Sequence, residues 1–186
     1  MNYGNFHLVI WLIGIGYWII NWAGNKKTVQ RDRTSGRWAF LALFIVGVSV
    51  FRHSRGWLQQ RVVPDDAVVQ ILGVLACAAG VAIAIWARYI LGRNWSAVPT
   101  IKEGHELITS GPYQWVRHPI YTGILLALFG TMVLGGGRVW QICAYGFMAI
   151  GLHFKSRVEE GFMMQTFPDS YPAYRQRTKA IIPYIL

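Results

Sequence analysis

Acidic residues are scarce in this chain. Eight Asp and Glu stand against eighteen Lys and Arg among 186 residues, a formal net charge of +10, and charged residues of both signs reach only 14%. A soluble domain carries about a quarter, so an ordinary water-facing surface is not expected. Cysteine is nearly absent. Cys77 and Cys143 each lie in an apolar run, with no CxxC and no His cluster at metal spacing, so neither a disulfide framework nor a metal site is indicated. Both read as small buried hydrophobes. No GxGxxG follows a strand pattern, which argues against a soluble Rossmann-type nucleotide site.

What is abundant is apolar and aromatic. Hydrophobic residues make up 54%, with nine each of Trp, Tyr and Phe, as in chains with interfacial aromatic belts. The basic excess fits nucleic acid or anionic lipid, and apolar runs of membrane length favour lipid, with no nucleic acid. Residues 6–23 are almost wholly apolar inside an uncharged stretch, 1–25, without the basic start and cleavage site of a signal peptide. They are expected to form a retained transmembrane helix. Residues 38–51 are apolar but short of the ~20 needed to cross, and span only if Arg37 and Arg52 snorkel. Residues 67–91, 120–134 and 139–154 complete five candidate spans, the last two joined by a Gly135-Gly136-Gly137 turn. Ala76, Gly80 and Ala84 recur at the spacing that lets helix backbones approach in lipid.

Charge asymmetry orients the spans. With the N-terminus outside, only Arg52, Arg55, Arg61 and Arg138 of the eighteen basic residues lie on the outer side. The expected class is therefore an all-α, multi-pass integral membrane protein of about five transmembrane helices, N-terminus out and C-terminus in. Residues 1–91 hold helices 1–3. Residues 92–186 hold a long polar loop, the hairpin of helices 4 and 5, and a C-terminal helix and tail. The loop and tail share the cytoplasmic side.

That side carries the residues able to do chemistry. Pro119 suits the first turn of the fourth helix, which leaves His118 at its positive end, where free N–H groups suit an anionic ligand group. The plainer reading makes His118 and Tyr121 interfacial caps. Lys155 and Glu159, four residues apart, share a helix face, while Arg157 and Glu160 point elsewhere. These charges either sit in lipid headgroups or serve a site.

The run Asn94-Trp95-Ser96, then His105-Glu106-Leu107-Ile108-Thr109-Ser110-Gly111-Pro112-Tyr113, then Arg117-His118-Pro119-Ile120-Tyr121-Thr122-Gly123, resembles the isoprenylcysteine carboxyl methyltransferase family. So does Glu159-Glu160 followed by Phe167, Tyr171, Tyr174 and Pro183. The Arg-His-Pro-x-Tyr element is shared with phospholipid N-methyltransferases. The resemblance covers roughly residues 92–186 and implies membrane helices with a cytoplasmic C-terminal cofactor-binding region. It implies S-adenosyl-L-methionine as methyl donor, S-adenosyl-L-homocysteine as product, and a prenylated cysteine carboxylate as acceptor. By position, His105, Glu106, Leu107, Ile108, Tyr113, His118, Pro119, Ile120, Tyr121 and Glu159 would hold the donor.

One position departs from the pattern. The family's substrate-binding arginine falls on Lys155, a point charge instead of a bidentate fork, with Arg157 two residues on. A carboxylate acceptor needs a cation to align it, Lys155 or Arg157. An amine acceptor needs a base, Glu159 or Glu160. Three readings follow: a methyltransferase acting on an amphipathic acid, one acting on a lipid amine, and a non-enzymatic membrane protein that keeps the fold.

Overall fold

The computed structural model describes residues 5–21, 28–31, 49, 53, 55–92, 95, 100–102 and 106–183. Its helices are α1 (Phe6–Ile20), α2 (Ala67–Leu91), α3 (Pro119–Leu134), α4 (Val139–Thr166) and the short α5 (Tyr171–Arg177). The all-α expectation needs one amendment. Thr28–Arg31 (β1) and Thr100–Lys102 (β2) pair as an antiparallel ribbon, with Thr28 opposite Lys102 and Arg31 opposite Thr100. The second candidate span, 38–51, lies outside the described residues except for Ser49, as do Asn94, Ser96 and His105.

Local chemistry sets the helix ends. Asp66 opens α2 by accepting from the Val69 amide at 3.0 Å, satisfying a donor that the first turn leaves unpaired. Gly92 closes it with φ +53, a left-handed conformation that favours glycine. α1 stops at Ile20, and the Asn21 side chain turns back to the Tyr17 carbonyl at 2.9 Å.

The centre of the molecule is the α2–α3 contact. Gly73, Cys77, Gly80 and Ala84 of α2 are buried against Gly123, Ala127 and Gly130 of α3. A Cβ on Gly80 would fall on the Ala127 backbone, and one on Gly130 would fall on the Cys77 backbone. The close approach is therefore built from missing side chains. The small-residue stripe expected through Ala76 runs instead through Gly73 and Cys77, with Ala76 only half-buried. α1 lies on this pair, and the Trp11 indole donates to Thr131 Oγ1 at 3.0 Å. Cys77 is buried as expected, but Cys143 is exposed on α4, because that helix packs far less closely than α2.

The glycine turn closes the hairpin. Gly136 and Gly137 take φ +89 and +55, and the Gly136 carbonyl accepts from the Val62 and Val63 amides at 3.3 and 3.1 Å. α4 then runs unbroken for 28 residues, roughly 42 Å, carrying the apolar hairpin helix straight into the polar region.

Of the described helices, α2 alone is long and apolar enough to cross a membrane, while α1 and α3 are apolar but shorter. Ile71, Leu72 and Leu75 on α2, and Leu8, Leu12 and Ile19 on α1, face outward uncovered. Apolar surface of that extent calls for lipid or a partner.

The packing yields a paired prediction. Gly80→Ala places a methyl group on backbone and should lower the melting temperature in detergent, at a cost of about 1–3 kcal/mol or more. Gly146→Ala meets open space and should be neutral or stabilising by up to ~1 kcal/mol. Thermal unfolding of the two purified variants measures the contrast.

Candidate active site

Three segments meet where α3 begins. The 3-10 turn Gly111–Gln114 delivers the chain to His118, which sits at the N-cap of α3 with Pro119 at the first helical position. The Tyr121 and Thr122 amides both return to the His118 carbonyl, at 2.9 and 3.1 Å, and Pro119 has none to offer. Among the described residues, the expected set of free helix-end N–H groups thus reduces to that of Ile120.

The C-terminal tail is the second segment. The Arg117 amide donates to the Lys179 carbonyl at 2.8 Å, and the His118 amide to Ala180 at 2.9 Å. Thr122 Oγ1 donates to the Ile181 carbonyl. Ala180 and Ile181 are buried with Tyr121 and Leu125, so the tail is a wall of the site.

The third segment is the inner end of α4. His118 Nδ1 lies 3.4 Å from Glu159 Oε2 and Nε2 lies 3.5 Å from Glu160 Oε1, so one ring faces two consecutive carboxylates. The Tyr121 hydroxyl donates to Glu159 Oε1 at 2.6 Å, and its ring stacks on His118 with an interplanar angle of 4°. Lys155 Nζ lies 3.7 Å from Glu159 and 5.2 Å from the centre of the Tyr121 ring, a cation over an aromatic face. Glu160 is buried and accepts from Arg117 Nε at 2.8 Å, with Arg175 Nε at 3.5 Å. Arg117 also donates to the Thr178 and Arg175 carbonyls.

The charges tune one another. Burial opposes ionisation of Glu160, but His118 and Arg117 outweigh it and hold the carboxyl down to about 2. Burial opposes it at Glu159 too, and His118, Lys155 and the Tyr121 hydroxyl again overcome it, so that carboxyl is lowered. Burial disfavours a charged His118, yet the two carboxylates raise its pKa above the ordinary histidine value. Burial pushes the Tyr174 phenol up to about 12, and its hydroxyl donates to the Tyr113 carbonyl at 2.7 Å.

Of the residues singled out from sequence, His118, Pro119, Ile120, Tyr121, Lys155 and Glu159 therefore converge. Tyr113 is buried nearby, its hydroxyl on the Ala87 carbonyl at 3.4 Å. Glu106 is exposed, Leu107 and Ile108 are half-buried, and His105 falls outside the described residues. Arg157 is exposed, away from the cluster. Glu160 corrects the reading that sent it elsewhere, because the loop wraps the helix end and meets both directions. Sequence reasoning missed Arg175 and Thr178 as partners of Arg117. Single contacts from an irregular tail leave no periodic trace.

The arrangement fits a polar cationic cofactor with an aromatic portion. The Tyr121 ring stacks on His118 as an aromatic face, and Glu159, though engaged by Tyr121, His118 and Lys155, retains acceptor capacity.

The phospholipid methyltransferase family matches residues 68–170, more than half of the chain, and the chain belongs to that family. The chain is 30% identical over 80% of its length to the cobalt-zinc-cadmium resistance protein CzcN of Cupriavidus metallidurans, covering 62% of that protein. It is 33% identical over half of its length to the protein-S-isoprenylcysteine O-methyltransferase of Schizosaccharomyces pombe, covering 41% of it. An equal identity over the same share links it to protein-S-isoprenylcysteine O-methyltransferase B of Arabidopsis thaliana, of which it covers 49%. The motif resemblance is thus borne out at family level. The chain spans between two fifths and two thirds of the length of these curated relatives.

The ion-pair network has a signed pH dependence. Glu160 is depressed, so its contribution to stability is complete above the ordinary 4.5 and is lost as pH falls through about 2. His118 is raised, so its contribution is complete below 6.5 and is lost as pH rises through its folded value. Glu160→Gln should flatten the acid limb of the stability profile between about pH 4.5 and 2. At neutral pH, leaving Arg117 uncompensated should cost roughly 3–5 kcal/mol. Melting temperatures across pH for parent and variant check both statements.

Proposed function

We propose that the chain is a multi-pass integral membrane methyltransferase that uses S-adenosyl-L-methionine and methylates an amphipathic carboxylate, of the prenylated-cysteine kind, at the cytoplasmic face. The observation that carries this reading is a half-exposed Lys155 3.7 Å from Glu159, beside two consecutive carboxylates whose pKa values are both lowered. A carboxylate acceptor is already a nucleophile and needs only alignment, which an ammonium group supplies. An amine acceptor must first lose a proton, and carboxylates held this acidic are poor bases for that step.

The donor supplies a methyl group already activated on a sulfonium centre. The protein's work is then positioning and electrostatics. Glu159, His118 and Tyr121 form one bonded unit that presents acceptor oxygens and aromatic faces to a cationic, nucleoside-bearing ligand. The family resemblance adds His105, Glu106, Leu107 and Ile108 as donor-binding residues, largely through backbone groups. Lys155, on the face of α4 that carries Glu159, aligns the acceptor, and its single ammonium tolerates more than one acid geometry. Arg157 is exposed and serves as a rim charge. The uncovered apolar faces of α1 and α2 support a bilayer surround.

The family match by phospholipid methyltransferases favours a second reading, a lipid-amine acceptor with Glu159 as base. Product chemistry separates the two. Methyl esters release label in mild alkali and methylamines do not. A detergent-purified sample given radiolabelled donor and farnesylated cysteine analogues should yield alkali-labile product, and alkali-stable label on lipid amines would reverse the assignment. Glu159→Ala should weaken S-adenosyl-L-homocysteine binding by calorimetry at least ~10-fold, about 1.4 kcal/mol. Lys155→Ala should leave that affinity within about twofold and lower acceptor kcat/KM by ~10–100-fold, the equivalent of about 1.4–2.7 kcal/mol. Parental cofactor affinity in Glu159→Ala would remove the donor assignment of α4.

A further inference from the structure

Arg88 lies outside the cluster, buried in the last turn of α2. Its guanidinium donates to the Asn21 carbonyl at 2.9 Å and to the Gly92 carbonyl at 2.5 Å. Asn21 is the C-cap of α1 and Gly92 the C-cap of α2. One cation therefore serves the negative ends of two helices at the point where they meet, and two carbonyls of the kind that helix ends leave unpaired share its fork. The Trp95 ring covers the same group, its centre 4.7 Å from the guanidinium carbon.

Two segments leave this point. One follows α1 and supplies β1. The other follows α2 and supplies β2, and the two pair with a bulge between Thr28 and Gln30. The chain after β2 carries Glu106, Leu107 and Ile108, then returns to the end of α2, where the Tyr113 hydroxyl donates to the Ala87 carbonyl. Gly111 packs there as well, against the Ile90 side chain. Both ends of the loop are thus tied to the last turn of α2, the outgoing end through Arg88 and the returning end through Tyr113.

Resting on the proposed donor site, we infer that Arg88 is a positioning residue for the donor-binding loop: by holding the C-termini of α1 and α2 together it sets the common origin of β1 and β2, and the ribbon fixes where residues 106–108 stand. Arg88 touches neither reactant. Its effect belongs to donor affinity and not to the chemical step. The fork matters as much as the charge, because two carbonyls from different helices must be reached at once.

The test uses the full chain in detergent, with Arg88→Gln, Arg88→Lys and Trp95→Leu beside the parent. S-adenosyl-L-homocysteine affinity is measured by calorimetry on the monodisperse fraction, donor KM and kcat by turnover, and hydrogen exchange at residues 100–102 by mass spectrometry. Arg88→Gln should raise the dissociation constant and donor KM about tenfold, with kcat within about threefold. It should also speed exchange across 100–102 while the middle of α2 stays protected. Arg88→Lys, reaching one carbonyl, should recover part of the loss, and Trp95→Leu should show a smaller loss in the same direction. A merely structural role would lower the yield of folded protein and leave these constants unchanged. That outcome, or equal falls in kcat and kcat/KM with unchanged exchange, overturns the inference. If Arg88→Gln does not fold, Trp95→Leu decides by the same constants. A parent that fails to bind S-adenosyl-L-homocysteine overturns the donor site itself, and this inference with it.

Discussion

The buried ion pair between Arg117 and Glu160 is the constraint on which the site depends. Two charges removed from water cost several kcal/mol each unless geometry and further hydrogen bonds compensate. Here the compensation is extensive. Arg117 reaches a carboxylate on α4 and two carbonyls of the tail, and its own amide is bound by a third. Glu160 in turn faces His118 and Arg175. Three stretches that lie far apart in sequence are therefore locked at one point, and His118, next in the chain to Arg117, inherits its position from that lock. Glu159 and Glu160 differ in partners: Glu160 is bound by Arg117 and Arg175, and Glu159 by Tyr121, His118 and Lys155.

A second constraint lies deeper in the helices. Glycine at 73, 80, 123 and 130 brings α2 and α3 into backbone contact, so the two behave as one rigid pair. Both ends of that pair are used. At one end Gly136 binds the connection that enters α2. At the other the last turn of α2 and the first turn of α3 flank the loop. Close packing in lipid gains nothing from the hydrophobic effect and rests on shape and dispersion. That explains why the contact is made of small residues when the chain is rich in large ones.

Much of this was legible in the sequence, for reasons that differ by element. The bounds of α2 could be read as 67–91 because Asp66 and Gly92 mark them chemically and the run between is apolar apart from Gln70 and Arg88. The continuation of α4 past Lys155 into Glu159 and Glu160 was read from a stretch without proline before Pro168, and the helix runs through Gly161. The motif residues His118, Tyr121 and Glu159 were found together because the family pattern fixes their order. Other features left no trace. A ribbon of three and four residues has too few positions for alternation to show. The tail docks through one parallel bridge, Val116 with Lys179, and a few isolated hydrogen bonds from Arg117, His118 and Thr122, which no periodicity reveals. Glu160 was sent away from the site by helix geometry alone, since successive residues differ by about 100°. The inference failed because it treated the site as one face of a helix, whereas the loop and tail wrap around the helix end.

The same wrapping explains why one unbroken helix can serve both apolar packing and chemistry. Tyr145, Met148, Ala149 and Leu152 of α4 pack on the cluster formed by Tyr121, Leu125, Ala180 and Ile181. Helical spacing continues that face through Lys155, Ser156 and Glu159, and Ser156 is fully buried. The rotation of α4 about its axis is thus set by apolar contacts two or more turns from the carboxylates. A helix without a kink transmits that setting over its length, so a shift of one residue in packing would swing Glu159 by about 100° away from Tyr121. The apolar face sets the rotation of α4, and the Arg117–Glu160 ion pair then locks the loop and tail onto the polar end so presented.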